Sequence, residues 1–165
     1  ENKIKEYFLK FNNNDIIVKN LDLGDIVFYL NDEPVVVIER KTINDLNCSI
    51  KDGRHREQKL RLLNTYNIKN IYYLIEGDIL DFEIKRGEKD TKSIYGSILN
   101  SLIRDNIKII RTCDLKETIK IIEIIFQKIK KQPEIFNKEA ISNDYSSTIK
   151  TKKKDYWKER NCRVT

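Results

Sequence analysis

Residues 35–45, Val35-Val36-Val37-Ile38-Glu39-Arg40-Lys41-Thr42-Ile43-Asn44-Asp45, decide how this chain is read. Val35 to Ile38 is apolar without alternation, the pattern of a strand covered on both faces inside an α/β sheet. Three charges then close the strand. Side chains alternate along extended backbone, so Glu39 and Lys41 leave on one face and Arg40 on the other. Burying such an end without partners is expensive, so the strand tip is expected to open into a site.

Working outward, Ile4, Phe8 and Phe11 form a helical stripe over residues 3–11. Residues 16–30 read as extended, two short strands around Leu23-Gly24, and Asn31 to Pro34 as a turn. Helices are predicted over 43–50 and 54–66 with Gly53 between them, and a second buried strand over 70–76. Further on come an amphipathic helix at 92–104 (Ile94, Ile98, Leu102), a short strand at 108–111, and a long helix at 115–131. That helix carries Ile119, Ile122, Phe126 and Ile129 on one stripe; Ile121, Ile124 and Ile125 exceed it and predict a second, partner-facing surface. Helices alternating with buried strands give an α/β class with a mixed sheet.

The composition allows this. At 165 residues, 39% of them apolar, the chain can bury one core, with a tail left over. Five Gly and two Pro exclude collagen-like and low-complexity classes. No apolar run approaches the ~18 residues of a membrane span, and the charged first segment is not a signal peptide. Cys48, Cys113 and Cys162 are odd in number and unpaired in spacing, which predicts a reducing, intracellular setting rather than secretion. Cys48 and Cys113 read as buried apolar fillers, and His55, the only histidine, as a surface residue. The absence of Met predicts a piece of a longer chain. Most of the net charge of +6 sits in residues 145–165, where seven Lys or Arg face only Asp155 and Glu159. The run around Lys152, Lys153 and Lys154 is either a solvated linker or a phosphate-contacting segment. Tyr145, Tyr156 and Trp157 beside it could stack on bases.

Asp25, expected on the strand before the Val35–Lys41 strand, can come to lie beside Glu39, and Asp45 follows Lys41 by one helical turn. Two carboxylates and a lysine suit metal-dependent phosphodiester hydrolysis. Asp25 and Glu39 are hard oxygen ligands for Mg²⁺. Lys41 can orient an attacking water or stabilise charge on the phosphate. An acidic site approached by a polyanion also needs a cation for electrostatic reasons. The competing reading, an exposed charged strand end, explains the Glu-Arg-Lys triplet alone but not Asp25 placed upstream of it.

Gly24-Asp25, Glu39-Arg40-Lys41 and Asp45 together resemble the GD…ERKxxxD signature of the XPF-type structure-specific endonucleases. Ser49 to Arg54 and Glu57 to Arg61 are similar to that family's glycine-arginine…glutamine segment, and Tyr72 to Glu76 to its next core strand. The resemblance covers about residues 1–130. It implies a restriction-endonuclease-like fold: a central mixed sheet flanked by helices on both faces. It also implies Mg²⁺- or Mn²⁺-dependent incision of branched DNA near single-strand/double-strand junctions, typically 3′ flaps, in repair or recombination. Dimeric assembly, homodimeric or heterodimeric with a related subunit, is implied as well, with a nuclear location in a eukaryote. Carried over residue by residue, Asp25 and Glu39 are metal ligands, with the Arg40 carbonyl as a third oxygen. Lys41 is the catalytic lysine and Asp45 a supporting acid, while Arg40, Arg54 and Gln58 face DNA or brace the loop. The family's first strand bears an acid and, three residues on, a glutamate, which Glu1 matches. Residues 1–137 are then the nuclease domain with a truncated first strand. Residues 138–165, including Lys152, Lys153 and Lys154, are the basic linker toward an absent helix-hairpin-helix module. Two rivals remain: a non-catalytic subunit supporting an active partner, and a junction resolvase or restriction enzyme of the same broad fold.

Overall fold

The computed structural model describes residues 2–10 and 15–136. The elements in chain order are α1 (Asn2–Leu9), β1 (Ile26–Leu30), β2 (Glu33–Thr42), α2 (Ile43–Lys51), α3 (Arg54–Thr65), β3 (Ile71–Glu76), α4 (Ile79–Arg86), α5 (Glu88–Leu99), β4 (Lys108–Thr112) and α6 (Leu115–Lys131). A π turn, Asn100–Arg104, extends α5. Glu1, Phe11, Tyr145, Lys152, Lys153, Lys154, Tyr156, Trp157 and Cys162 lie outside the described residues.

The sheet has the order β1-β2-β3-β4, antiparallel between β1 and β2 and parallel thereafter. It is the mixed sheet that the alternation of elements predicts. Asn31 and Asp32 both adopt positive φ between the paired Leu30 and Glu33, a two-residue hairpin turn of the twist-matched kind. A bulge at Phe28/Tyr29 sets Tyr29 opposite Pro34, next to the end of the ladder, where the missing N–H of proline does least harm.

The side-chain period of two sorts β2 and β3 between two cores. Val37, Ile71, Tyr73 and Ile75 pack under α2–α5, with Leu46, Leu62 and Ile94. Val36, Ile38 and Leu74 pack on the other face with Ile129 of α6. Val36, Val37 and Ile38 are essentially inaccessible, each contributing ~1.5–3 kcal/mol of burial. Covering both faces leaves only the two ends of β2 for charge: exposed Glu33 at the hairpin and Glu39 to Lys41 at the tip.

Four expectations need correction. Only one strand forms in residues 16–30; Ile16 to Leu23 finds no strand partner, and Ile17 stays exposed. Helix α4 was unassigned by sequence. Asp78 caps it by accepting from the Leu80 and Asp81 N–H groups, and Gly87 ends it. The helix expected at 92–104 starts at Glu88 and gives way to the π turn, in which Ser101 is buried and Leu102 exposed. On α6, Ile125 packs onto the sheet with Ile129 and so drops out of the expected second surface, while Ile124 stays exposed.

Candidate active site

Gly24 opens the site. Its φ is +76°, and a Cβ there would stand 3.0 Å from Val37 Cγ1, so only glycine lets the chain lie this close to β2. Asp25 follows, just before β1 rather than inside it. Its N–H donates to the Ile38 carbonyl at 2.8 Å, and its Oδ2 accepts from the Arg40 N–H at 2.6 Å. These bonds continue the Ile26–Ile38 register and bring Asp25 beside Glu39 at the strand end.

Glu39 and Lys41 project to the α3 side, as alternation predicts. Lys41 Nζ stands 3.4 Å from Glu39 Oε1 and donates to Gln58 Oε1 at 2.6 Å; both charged side chains are largely buried. Gln58 thus holds the lysine. Gly53, at φ +81°, starts the helix that carries it. Asp45 behaves differently from the expectation that it points back at Lys41. Its carboxylate accepts the Thr42 hydroxyl at 2.7 Å while its N–H donates to Thr42 Oγ1 at 3.1 Å, a reciprocal cap on α2. Arg54 is exposed, and its guanidinium pairs with Asp52 at 2.6 Å.

Arg40 turns to the opposite face, where its guanidinium does not reach outward. It makes a bidentate pair with Glu76, at 3.0 and 2.7 Å. Glu76 also accepts from the Thr118 hydroxyl at 2.7 Å, and Thr118 meets Thr112 at 2.7 Å. The forked geometry fixes Arg40, whose N–H in turn fixes Asp25. Sequence reasoning noted Glu76 only as an acid closing a strand; the parallel register Thr42–Glu76 is what puts it within reach.

His55 is not a surface residue. It is 4% exposed, against the Tyr73 ring at 5.5 Å, and neither ring nitrogen has a partner. Burial first, then the Lys59 and Lys41 charges, push its pKa down to about 4. Burial, with the Glu39 carboxylate adding, raises that of Tyr73. Lys59, one turn along α3, is buried on Asp105 and Ser101 at 2.8 Å each. The signal was there as His55, Lys59 and Leu62 at helical spacing, hidden by the polarity of the first two. Cys48 and Cys113 are exposed, not core fillers: Cys48 falls on the outer side of α2, and Cys113 in the loop before α6.

The donors brought to the strand end are the Asp25 and Glu39 carboxylates, both hard oxygens. Among the described residues no cluster of three or more His, Cys, Asp or Glu is set to hold a metal. Such a sparse oxygen set fits Mg²⁺ or Mn²⁺, ions suited to oxygen ligands, Mg²⁺ usually keeping several waters, rather than a softer metal.

Known proteins resemble this chain in sequence and fold. Residues 1–125 match the ERCC4 domain. The "probable crossover junction endonuclease mus81" of Dictyostelium discoideum is 42% identical over 94 residues, 53% of this chain and 10% of that protein. The "3′-flap repair endonuclease Xpf" of Saccharolobus solfataricus is 30% identical over 113 residues, 68% of this chain and 45% of that protein. The solved structure of XPF from Aeropyrum pernix in complex with DNA superposes with a TM-score of 0.54 at 29% identity, over 68% of this chain and 52% of that one. The chain therefore spans less than half the length of these curated relatives.

Proposed function

The chain belongs to the ERCC4 domain family, and on that premise we propose that it is the catalytic domain of a metal-dependent, structure-specific DNA endonuclease. Its substrate is branched DNA, 3′ flaps or forks, met in repair and recombination. The observation that carries this reading is the pinning of Asp25 beside Glu39 and Lys41 by paired bonds to Ile38 and Arg40. A domain that only supported an active partner would have no use for that set.

Asp25, Glu39 and the Arg40 carbonyl would hold Mg²⁺ or Mn²⁺. When bound, the ion polarises the scissile phosphate and lowers the pKa of the attacking water. Lys41 supplies a fixed positive charge where negative charge builds on the phosphate oxygens, and Gln58 keeps it from collapsing onto Glu39. His55, neutral at pH 7, adds no competing cation behind it.

Dimerisation belongs to the same proposal, through α5 rather than α6. Tyr95, Leu99, Leu102 and Ile103 form an exposed apolar stripe there, Ile103 at 76% exposure, whereas α6 exposes only Ile124 among its large apolar residues. Leu102→Asp with Ile103→Asp is expected to lower the mass in light scattering to that of one subunit; an unchanged dimer would clear this face. Residues 1–137 would be the nuclease domain and 138–165 a basic linker whose Lys152, Lys153 and Lys154 reach DNA. In a eukaryote the place of work would be the nucleus. No described helix is long and apolar enough to cross a membrane.

The test is cleavage of a labelled 3′-flap duplex with Mg²⁺, Mn²⁺ or EDTA, for the chain and for Glu39→Gln. Metal-dependent incision near the junction, lost in the variant, is the expected result. Flap binding without incision would favour the supporting-subunit reading, and cutting of four-way junctions but not flaps a resolvase.

A further inference from the structure

A cleft of about 170 Å³ opens beside Asp25, on the side away from Gln58 and between α1 and the segment leading to Gly24. Its floor is Gly24, Asp25 and Arg40; its walls carry Lys5, Lys19 and Asn20. The charges in it are unevenly spent. Arg40 is consumed by Glu76, and Asp25 is pinned by the Arg40 N–H. Lys5 Nζ has only Asn20 Oδ1 at 3.5 Å, and neither Lys5 nor Lys19 forms an ion pair among the described residues. Helix α1 is held in place independently, by the Tyr7 hydroxyl on Glu123 Oε1 of α6 at 2.8 Å. Two lysines without an ion-pair partner among the described residues, together with Asn20, therefore line a concavity that shares Asp25 with the cutting site.

We propose that this cleft is a phosphodiester subsite. It receives the backbone phosphate next to the scissile one on the incised strand, with Lys5, Lys19 and the Asn20 amide as its donors. The inference rests on the nuclease reading and adds to it where the strand runs: past Asp25, toward α1. The residues suit an anion on chemistry alone. Each lysine offers three donors and no acceptor, and among the described residues lining the cleft Asp25 is the one carboxylate, its Oδ2 accepting the Arg40 N–H. A divalent ion held at Asp25 would offset the carboxylates that would otherwise repel a phosphate here.

The experiment uses Lys5→Ala/Lys19→Ala, with Lys116→Ala/Lys120→Ala on exposed positions of α6 as the equal-charge control. Binding of a flap duplex is measured in the Glu39→Gln background across a salt series. Losing one phosphate contact should flatten the slope of log K against log salt by about 0.9 in the cleft variant and not in the control. In the cutting-competent chain, KM rises while kcat holds. A single uncharged methylphosphonate is then walked along the incised strand. One position adjacent to the cut should weaken the parent chain and cost the cleft variant nothing further. Equal slope changes in both double variants, or additive losses at every methylphosphonate position, would overturn the subsite while leaving the nuclease reading intact. A parent chain that neither binds nor cuts would instead overturn the nuclease reading, and the subsite with it.

Discussion

The two faces of β2 end in charges of the same kind and put them to different uses. On the α6 face, Arg40 and Glu76 meet in a forked pair whose acid is completed by Thr118; everything there is spent internally. On the α3 face, Glu39 and Lys41 stand 3.4 Å apart, a looser contact, with Gln58 taking the lysine's closest bond. A saturated cluster stabilises and positions; a loosely joined one can still meet a ligand. One strand, through its period of two, carries the support on one side and the chemistry on the other.

The largest effect expected of that contrast is on the α3 face. Asp25→Asn should abolish cleavage with little change in melting temperature, and Lys41→Ala should cut the rate by ~10²–10³, the usual cost of one transition-state donor. Retained cutting in both would break the contrast at once. On the α6 face the loss should be of stability: Arg40→Met leaves Glu76 buried without its partner and should cost ~3–5 kcal/mol in urea unfolding. Adding Glu76→Leu to it should recover much of that stability; a double variant no better than the single would show that the pair does more than neutralise itself.

Next in size is a pH effect from beneath Lys41. The folded-state pKa of His55 is about 4, below the ordinary 6.5, so the unfolded chain binds the proton first. Stability is then fully present above pH 6.5 and falls as the pH drops toward 4, by up to ~3 kcal/mol. His55→Leu should flatten that part of the urea-midpoint profile, and an unaltered slope would return the histidine to ordinary solvent contact. The smallest expected effect is that of Gly53→Ala. Nothing crowds a Cβ there, so only the left-handed backbone is penalised, by ~1–2 kcal/mol.

Much of this was legible in the sequence because it depends on period and punctuation. Val35–Ile38 gave away a doubly covered strand, and the alternation of Glu39, Arg40 and Lys41 already separated the two faces. What escaped depends on partners distant in the chain. Glu76 becomes the receptor for Arg40 only through the parallel register of β2 and β3. His55 and Lys59 look like surface charge until α3 is laid on the sheet and Asp105 arrives from the far end of α5. Asp45 was read as a reagent because it follows Lys41 by one turn, yet Thr42 stands nearer and claims it for a helix cap. The cysteines were misjudged for the converse reason: residue type suggests burial, but position on the helix or loop decides it.

The π turn has a consequence beyond the helix it interrupts. By taking in one more residue than an α turn, it changes the phase of everything after it by roughly 100°. Asp105, whose N–H closes the turn on the Asn100 carbonyl, is thereby brought round to Lys59 at 2.8 Å. Had one residue been deleted there, the carboxylate of Asp105 would be swung away and buried Lys59 would lose its ion pair. Whether that buried lysine is neutralised is thus set by a count of residues and not by their kind, and a single-codon gain or loss at this spot would unsettle it more than most substitutions could.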